Sequence, residues 1–225
     1  MSYVNSEDLT ATTSNYQKYQ TPNPAMRWII QRFLQRVCEQ VTEFQPRRIV
    51  DLGCGEGELL EALIDAKRVS GVGVDIDISN VAKALDRGLQ VLQQDMELGL
   101  DNFSAKSFDA VIVAYSLQVL SQPHELLDRV ADIGIEVIVS FPNFGHWRSR
   151  LALLLGGKMP KTRSLPYNWY DTPNIHFCTI ADFEALCREL HITILEKRTM
   201  GPVNLLSSLW PNLFAKSATY RVKRQ

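Results

Sequence analysis

A run of acidic and small residues, Asp51–Gly57, has the composition and spacing of a ligand-binding turn. It reads Asp-Leu-Gly-Cys-Gly-Glu-Gly between a β-branched strand pattern and a helical pattern. Gly53, Gly55 and Gly57 permit positive φ and leave no Cβ in the way of a closely approaching group. Asp51 supplies a hydrogen-bond acceptor at the carboxyl end of the strand, where open α/β sheets bind ligands. These features favour a site for a nucleoside-bearing cofactor, and the alternative is a tight strand-to-helix connection.

The residue after this turn discriminates between a dinucleotide and other nucleoside-bearing cofactors. A dinucleotide-binding G-x-G-x-x-G pattern starting at Gly53 would place its third glycine at position 58, which is Glu58. A carboxylate near the start of the helix competes with a pyrophosphate, so NAD is disfavoured. The pattern D-x-G-x-G-x-G instead matches at every position. It resembles the first motif of the class I S-adenosylmethionine-dependent methyltransferases, whose cofactor has no phosphate. The resemblance implies S-adenosylmethionine or S-adenosylhomocysteine as the ligand.

A second acidic position follows the next strand pattern. The apolar run from Val69 ends at Asp75 and Ile76, about twenty residues beyond the glycines, which is the position of a ribose-binding acid. A carboxylate there can accept hydrogen bonds from both ribose hydroxyls. A helix-capping acid is the alternative, although Asp77 and Ser79 compete for that role. We therefore expect Asp75 and its neighbour Ile76 to contact the cofactor.

A third strand pattern ends at Asp95 and Met96. In the methyltransferases that the glycine turn resembles, an acid at this strand end accepts from the adenine amino group, and an apolar neighbour packs on the ring. The resemblance implies these roles for Asp95 and Met96. Taken alone, an aspartate after a strand is ordinarily a turn residue.

The composition and net charge of the chain indicate its general class and disfavour some kinds of partner. The chain has 225 residues, 45% hydrophobic and 22% charged, with a net charge of −1. This balance is typical of a globular domain and provides no broad positive field, so we expect neither nucleic acid nor a membrane as a partner. Four cysteines without a Cys-x-x-Cys pair, and four histidines without a His-Glu-x-x-His motif, favour a cytoplasmic protein with no metal site.

The elements needed to position these residues follow a βαβ rhythm. We expect a polar arm at 1–22 and a single domain at 23–225, beginning with a helix that Asn23 and Pro24 open. Strand and helix patterns alternate from there, and two strand patterns follow the last helix. The sequence predicts an α/β fold with a doubly wound, mostly parallel seven-stranded sheet, Rossmann-like, that ends in an antiparallel strand pair.

A long connection at about 143–176 interrupts this rhythm. Connections of this length that are rich in aromatic, Arg and His residues are rarely inert in a compact domain. The residue types suit a partner surface or an acceptor pocket, and the alternative is a cap that buries its own aromatics. A base role for either histidine rests on residue type alone. The candidates for this surface are His146, Trp147, Arg148, Tyr167, Trp169, Tyr170 and His176.

Two motifs in this connection extend the resemblance. Ser140–Arg148 reads Ser-Phe-Pro-Asn-Phe-Gly-His-Trp-Arg, and Leu165–His176 reads Leu-Pro-Tyr-Asn-Trp-Tyr-Asp-Thr-Pro-Asn-Ile-His. Together with the strands described above, they resemble the MetW family of bacterial methionine-biosynthesis proteins over roughly residues 47–200. The resemblance implies a class I methyltransferase fold and association with the homoserine O-acyltransferase MetX, whose activity in L-methionine biosynthesis it would support. It supplies neither a methyl acceptor nor catalytic residues.

The alternative function is an active methyltransferase that acts on a small molecule. The same aromatic connection would then form the acceptor pocket. Nucleic-acid amino methyltransferases have an Asn or Asp followed by Pro-Pro and an aromatic after the fourth strand. The corresponding residues 114–118 read Ala-Tyr-Ser-Leu-Gln and lack that motif.

Overall fold

The computed structural model describes residues 46–67, 69–98, 100–162, 168–172, 174–201 and 209–225. The predicted arm at 1–22 and the helix expected from Asn23 lie outside these residues. The strands of the described part are β1 Arg48–Leu52, β2 Ser70–Asp75, β3 Gln90–Gln93, β4 Phe108–Ala114, β5 Gly134–Pro142, β6 Ile192–Met200 and β7 Ser217–Arg224. Its α-helices are α1 Glu58–Lys67, α2 Ile78–Asp86, α3 Pro123–Ile133, α4 Trp147–Gly156, α5 Ile180–Glu189 and α6 Pro211–Phe214.

The seven strands form one sheet in the order β3-β2-β1-β4-β5-β7-β6. The first five are parallel, and β7 lies antiparallel between β5 and β6. The predicted fold class is confirmed, including the terminal antiparallel pair. The strand order changes direction between β1 and β4, so the carboxyl ends of these two strands border the crevice in which such sheets bind ligands.

Alternate residues of the central strands point to opposite faces of the sheet and form two apolar clusters. On one face Leu127 of α3 and Phe183 of α5 belong to the same cluster as Val111. On the other face Leu60 of α1 packs in a cluster with Ile112. Helices on both faces leave the strand ends as the accessible part of the sheet.

Strands β5 and β7 extend beyond their sequence patterns. The apolar pattern predicts a strand at 136–140, whereas β5 runs from Gly134 to Pro142. It predicts the final strand at 218–222, whereas β7 runs from Ser217 to Arg224. Helix α4 was not predicted, since its leucines form a continuous apolar run without polar residues between them. Pairing with neighbours thus lengthens strands past the point where the apolar pattern ends.

Candidate functional site

The glycine turn connects β1 to α1 and has left-handed backbone at all three glycines. The φ angles are +74° at Gly53, +56° at Gly55 and +80° at Gly57. The amides of Gly53 and Cys54 donate to the carbonyl of Val74, at 2.8 and 3.0 Å. A Cβ on Gly57 would lie 2.4 Å from Leu89 Cδ1. The turn therefore requires glycine both for its backbone conformation and for close packing.

Gly53 is also the point at which residues from three strand ends meet. A Cβ built there would lie 2.4 Å from Ser116 Oγ and 3.0 Å from Met96 Cε. Ser116 follows β4, and its hydroxyl donates to the carbonyls of Leu52 and Ala114. Sequence reasoning missed Ser116. Its position directly after the fourth strand pattern is the signal that would have identified it.

Asp75 ends β2 and is buried against the glycine turn. Its Oδ2 accepts from the amide of Gly55 at 2.8 Å, and its Oδ1 accepts from the amide of Asp77 at 2.9 Å and from Asn80 Nδ2 at 3.3 Å. The cap of α2 is instead Asp77, whose side chain accepts from the amide of Ser79. Asp75 thus holds the turn in place, and the second lone pair of Oδ2 is available to a further donor.

Asp51 is the most unusual group of the site. Its carboxyl group is 1% exposed, and Oδ1 has no hydrogen-bond partner among the described residues. Burial, and then the negative charge of Asp75, raises the pKa of Asp51 from 3.8 to about 7. A buried carboxyl group without a partner is costly, and a cationic or hydroxyl donor from a ligand would relieve that cost.

The remaining predicted cofactor residues lie at the carboxyl ends of the neighbouring strands. Asp95 is half-buried, and its Oδ1 accepts from the amide of Glu97 at 2.8 Å. Met96 is half-buried over Gly53, whereas Ile76 is exposed beyond the end of β2. Asp51, Asp75, Asp95 and the glycines thus converge at one edge of the sheet. We call this group of strand ends and the glycine turn the strand-end cradle.

Cys54 lies inside the glycine turn and is buried. Burial raises the pKa of its thiol to about 12, and the charges of Asp51 and Asp75 act in the same direction. The thiol therefore remains protonated at neutral pH and is not a nucleophile. It fills the space beside Gly73, where a Cβ would lie 2.6 Å from Cys54 Sγ.

The end of β4 has an irregular backbone beside the cradle. Tyr115 has a φ of +55°, although it is not glycine. Burial raises the pKa of its phenol to about 12, while a hydrogen bond with Ser217 acts in the opposite direction. Gln118 donates through Nε2 to the carbonyl of Tyr115 at 2.6 Å, and its buried Oε1 has no partner in the described part of the chain.

Asn143 organises the first half of the connecting segment, residues 143–176. Its Nδ2 donates to the carbonyls of Asn212 and Ala215, at 3.1 and 2.8 Å. Its Oδ1 accepts from the amides of Gly145 and Ile180, at 3.0 and 3.4 Å. All four hydrogen bonds of this buried amide are therefore satisfied, and they join the end of β5 to the start of α5.

His146 caps helix α4 and does not lie on the surface. Its Nδ1 accepts from the amide of Arg148 at 3.3 Å, and the ring is 6% exposed. Burial lowers its pKa, as do the nearby charges of Lys216 and Arg148, so the ring is neutral at pH 7. Among the candidates for the partner or acceptor surface, His146 is therefore a buried, hydrogen-bonded side chain and not an exposed one. Instead it positions Trp147 and Arg148, whose guanidinium lies 5.3 Å from the centre of the Trp147 ring.

Trp169 and Tyr170 form a separate exposed pair, 74% and 71% accessible. Their rings are perpendicular with centres 5.7 Å apart. The turn that presents them is closed by Asn168, whose amide donates to Asp171 at 2.6 Å. Tyr167 lies outside the described residues.

The connecting segment ends beside the cradle. The carbonyl of Gln118 accepts from the amides of Ile175 and His176, at 2.9 and 3.0 Å. His176 is exposed, with Nε2 at 3.3 Å from the carbonyl of Ser121. The neighbouring amide of Gln122 donates to Glu97 at 2.8 Å, two residues beyond Asp95. Hydrogen bonds therefore connect the residues after β3 with the end of the connecting segment.

Two further features bear on the class of site. Among the described residues, no group of three or more His, Cys, Asp and Glu side chains is placed to hold a metal ion. The same part of the chain contains no helix with the length and apolar character needed to cross a bilayer.

Residues 34–222 match the family model of methionine biosynthesis protein MetW. The chain belongs to the MetW family. A curated relative from Rhodopirellula baltica, the bifunctional methionine biosynthesis protein MetXA/MetW, is 34% identical over 170 residues. That match covers 71% of this chain and 27% of the relative, so the chain spans about a quarter of the bifunctional protein.

Solved structures share the fold of this MetW family member. One is an S-adenosylmethionine-dependent methyltransferase from Thermotoga maritima, a possible histamine N-methyltransferase, with a TM-score of 0.61 and 17% identity over 95% of this chain and 100% of that one. Another is the plantazolicin methyltransferase BpumL in complex with S-adenosylhomocysteine, with a TM-score of 0.59 and 16% identity over 97% of both chains. At such identities the likeness shows the methyltransferase fold alone.

Proposed function

We propose that this protein binds S-adenosylmethionine or S-adenosylhomocysteine, associates with the homoserine O-acyltransferase MetX and supports its activity in L-methionine biosynthesis. The observation that carries the association is the relative in which MetXA and MetW are joined in one polypeptide. Proteins that act together gain effective concentration when they are fused. We assign this role to the cytoplasm.

The residues of the cradle fit the chemical groups of this ligand. Asp51 has a buried oxygen that no described residue pairs and that can accept from the ligand's ammonium group, and the charge of that group would favour the ionised carboxylate. Asp75 can accept from ribose hydroxyls through Oδ2. Ile76 and Met96 provide apolar contacts for the adenine, and Asp95 accepts from its amino group. When bound, S-adenosylmethionine would supply an electrophilic methyl group.

The partner surface is proposed on exposed aromatic side chains of the connecting segment. Trp169 and Tyr170 lie on a turn closed by hydrogen bonds, so their rings are presented with little loss of conformational entropy on binding. Trp and Tyr are enriched among residues that dominate binding energy at interfaces. Trp147 and Arg148 add a second aromatic and cationic position.

Coupling between the two sites gives the association a regulatory sense. An end product of the pathway would bind in the cradle and thereby change the activity of the acyltransferase, an enzyme near the start of the pathway. The segment 118–122 links the two sites, because the amide of Gln122 donates to Glu97 and the carbonyl of Gln118 accepts from the amides of residues 175 and 176. Differential binding of the ligand to the free and the partner-bound protein is the thermodynamic requirement for such regulation.

Titration of the purified pair tests this function. The affinity of the complex and the rate of acyl transfer are measured with and without S-adenosylmethionine and S-adenosylhomocysteine. We expect association in all cases and a change in affinity or rate with one ligand. The regulatory role is refuted if neither quantity changes, and the accessory role is refuted if the proteins do not associate and the acyltransferase is unaffected.

An active methyltransferase is the second candidate. It is favoured by the left-handed backbone of Tyr115 and the unpaired Oε1 of Gln118, because backbone strain and unsatisfied buried groups concentrate at functional sites. A screen of small-molecule acceptors, read by release of S-adenosylhomocysteine, tests it. Turnover in the absence of the acyltransferase would favour this candidate over the accessory role.

A further inference from the structure

Helix α4 presents its apolar face to solvent. Four apolar residues share one face at the spacing i, i+4, i+7 and i+8: Trp147, Leu151, Leu154 and Leu155. All four are exposed, Leu154 by 80% and Leu155 by 77%. The buried residue of the helix is Ser149, which lies on the opposite side. A helix that packs on its own domain normally has the reverse arrangement.

Both ends of α4 are held in place. Its first turn is capped by His146, and Arg150 Nε donates to the carbonyl of Gly145 at 2.6 Å. Its last turn is closed by Gly157, which has left-handed backbone and donates to the carbonyl of Leu153 at 3.0 Å. The exposed stripe therefore lies on an ordered helix about 15 Å long.

Positive charge borders the stripe on both sides. At 100° per residue, Arg148 and Arg150 fall on opposite flanks of the stripe, and both are exposed. Lys158 and Lys161 follow the helix and are also exposed. The sequence contains no Asp or Glu from position 137 to position 170. The complementary surface is an apolar groove with carboxylates along both edges.

We propose that α4 inserts into such a groove on the acyltransferase, so that the leucine stripe, together with Trp147, is the main docking element of the complex. This inference rests on the association proposed above. Pairing of α4 with a second copy would bring the arginines of two stripes together, which is unfavourable. The fusion of MetXA and MetW in the relative favours a protein over a lipid surface.

The test compares changes from leucine to glutamine on two helices of the whole chain, a double change on α4 and a single control change on α2. Leu154→Gln with Leu155→Gln removes the most exposed apolar groups of α4 and retains good helix formers. Leu85→Gln makes the same change on the exposed side of α2. We expect the α4 double variant to bind the acyltransferase at least tenfold more weakly, and Leu85→Gln to bind within twofold of the unmodified protein. Both should retain the melting temperature and the affinity for S-adenosylmethionine.

Two outcomes overturn the docking role of α4. Unchanged acyltransferase affinity in the α4 variant refutes it and leaves the accessory function intact, whereas no association of the unmodified pair refutes both. In the first case, loss of binding to phosphatidylglycerol vesicles or of self-association in the same variant would assign α4 to a lipid surface or to a second copy.

Hydrogen exchange of the unmodified pair provides an independent measurement. Amides of residues 151–156 should exchange more slowly in the complex than in the free protein, while those of α2 should be unaffected. Equal exchange of 151–156 in both states would refute the docking role.

Discussion

The strand-end cradle and the connecting segment differ in which side chains they bury and which they expose. The cradle buries polar groups: Asp51 is almost fully inaccessible and its Oδ1 has no partner in the described part of the chain, and the charge of Asp75 acts on it. The connecting segment exposes apolar groups, among them Trp169 and Leu154. Each arrangement raises the free energy of an isolated domain. A buried carboxylate without a donor loses its hydration, and a large exposed apolar surface is in contact with water.

The difference indicates what each region binds. A small polar ligand can donate to the carboxyl groups of the cradle, because its hydrogen bonds replace water within a narrow space. A protein partner can cover an apolar surface that is too convex for a small molecule. We therefore expect changes in the cradle to alter stability and ligand affinity, and changes in the connecting segment to alter partner affinity alone. Five predictions on four substitutions test this separation, and the substitutions are ordered from the largest expected effect to the smallest.

Asp51→Asn should stabilise the ligand-free protein at neutral pH. The pKa of Asp51 is about 7 in the folded protein against an ordinary value of 3.8. Between these values the unfolded chain has released a proton that the folded protein retains, so wild-type stability falls as pH rises from about 4 to about 7. Asparagine does not titrate, and we expect a gain of up to about 4 kcal/mol at pH 8. Urea unfolding of both proteins at pH 5 and pH 8 measures this gain. If the free energy of unfolding depended on pH equally in the two proteins, the prediction would be wrong.

The same substitution should act in the opposite direction on ligand binding. An ionised Asp51 attracts the ammonium group, so wild-type affinity for S-adenosylmethionine should rise about tenfold between pH 6 and pH 8. The Asn variant should bind more weakly and lose this rise. Calorimetry at the two pH values measures the affinity of both proteins. If their affinities depended equally on pH, Asp51 would not be the residue that binds the ammonium group.

Gly57→Ala should lower stability by about 3 kcal/mol, because it combines left-handed backbone with a clash against Leu89. Gly88→Ala is the matched control: its φ is +79°, and a Cβ there would meet no heavy atom of the described residues within 4 Å apart from the glycine and its two chain neighbours. Gly88→Ala should lower the free energy of unfolding by about 1 kcal/mol, from the left-handed backbone alone. Thermal or chemical unfolding gives the difference. Equal losses would show that the turn is not closely packed.

Asp75→Ala should weaken binding of S-adenosylmethionine by about 2 kcal/mol, since it removes charge-assisted hydrogen bonds and the acceptor for Gly55. Asp77→Ala, two residues away, removes the cap of α2 and should affect stability more than affinity. Calorimetry on both variants compares them. If the two lose equal affinity, the ribose role of Asp75 is not supported.

Tyr170→Ala should leave stability within about 0.5 kcal/mol and ligand affinity unchanged, because the side chain is exposed. Binding to the acyltransferase should weaken by about 1 to 2 kcal/mol if the ring is an anchor of the interface. Biolayer interferometry with the purified partner measures this loss. Weaker ligand binding with unchanged partner binding would reverse the roles assigned to the two regions.

The fold and the family were predictable from short-range patterns. The spacing of the glycines after a strand, and the acids at the ends of the next two strand patterns, depend on local geometry that repeats in every βαβ unit. The terminal strand pair was predictable for the same reason, since two strand patterns follow the last helix. Element ends were less accurate, because pairing with neighbours extends β5 and β7.

Side-chain environments were not predictable from those patterns. Ser116 meets Gly53 only because the ends of β1 and β4 are adjacent in the sheet. His146 was a candidate for the partner or acceptor surface by residue type, and only the structure shows that it is buried and caps α4. The leucines of α4 resemble a core helix in sequence, and their exposure depends on the side of the helix that faces the domain.

The sequence by itself determined the succession of strands along the chain, the glycine turn and the family, because each depends on residues close together in the chain. The tertiary structure decided which polar groups are buried without partners and which apolar groups are exposed. Burial is a property of neighbours that can be distant in sequence: Asp51 and Asp75 are 24 positions apart and share one edge of the sheet. The unusual pKa of Asp51 and the outward stripe of α4 therefore follow from the folded arrangement of the chain.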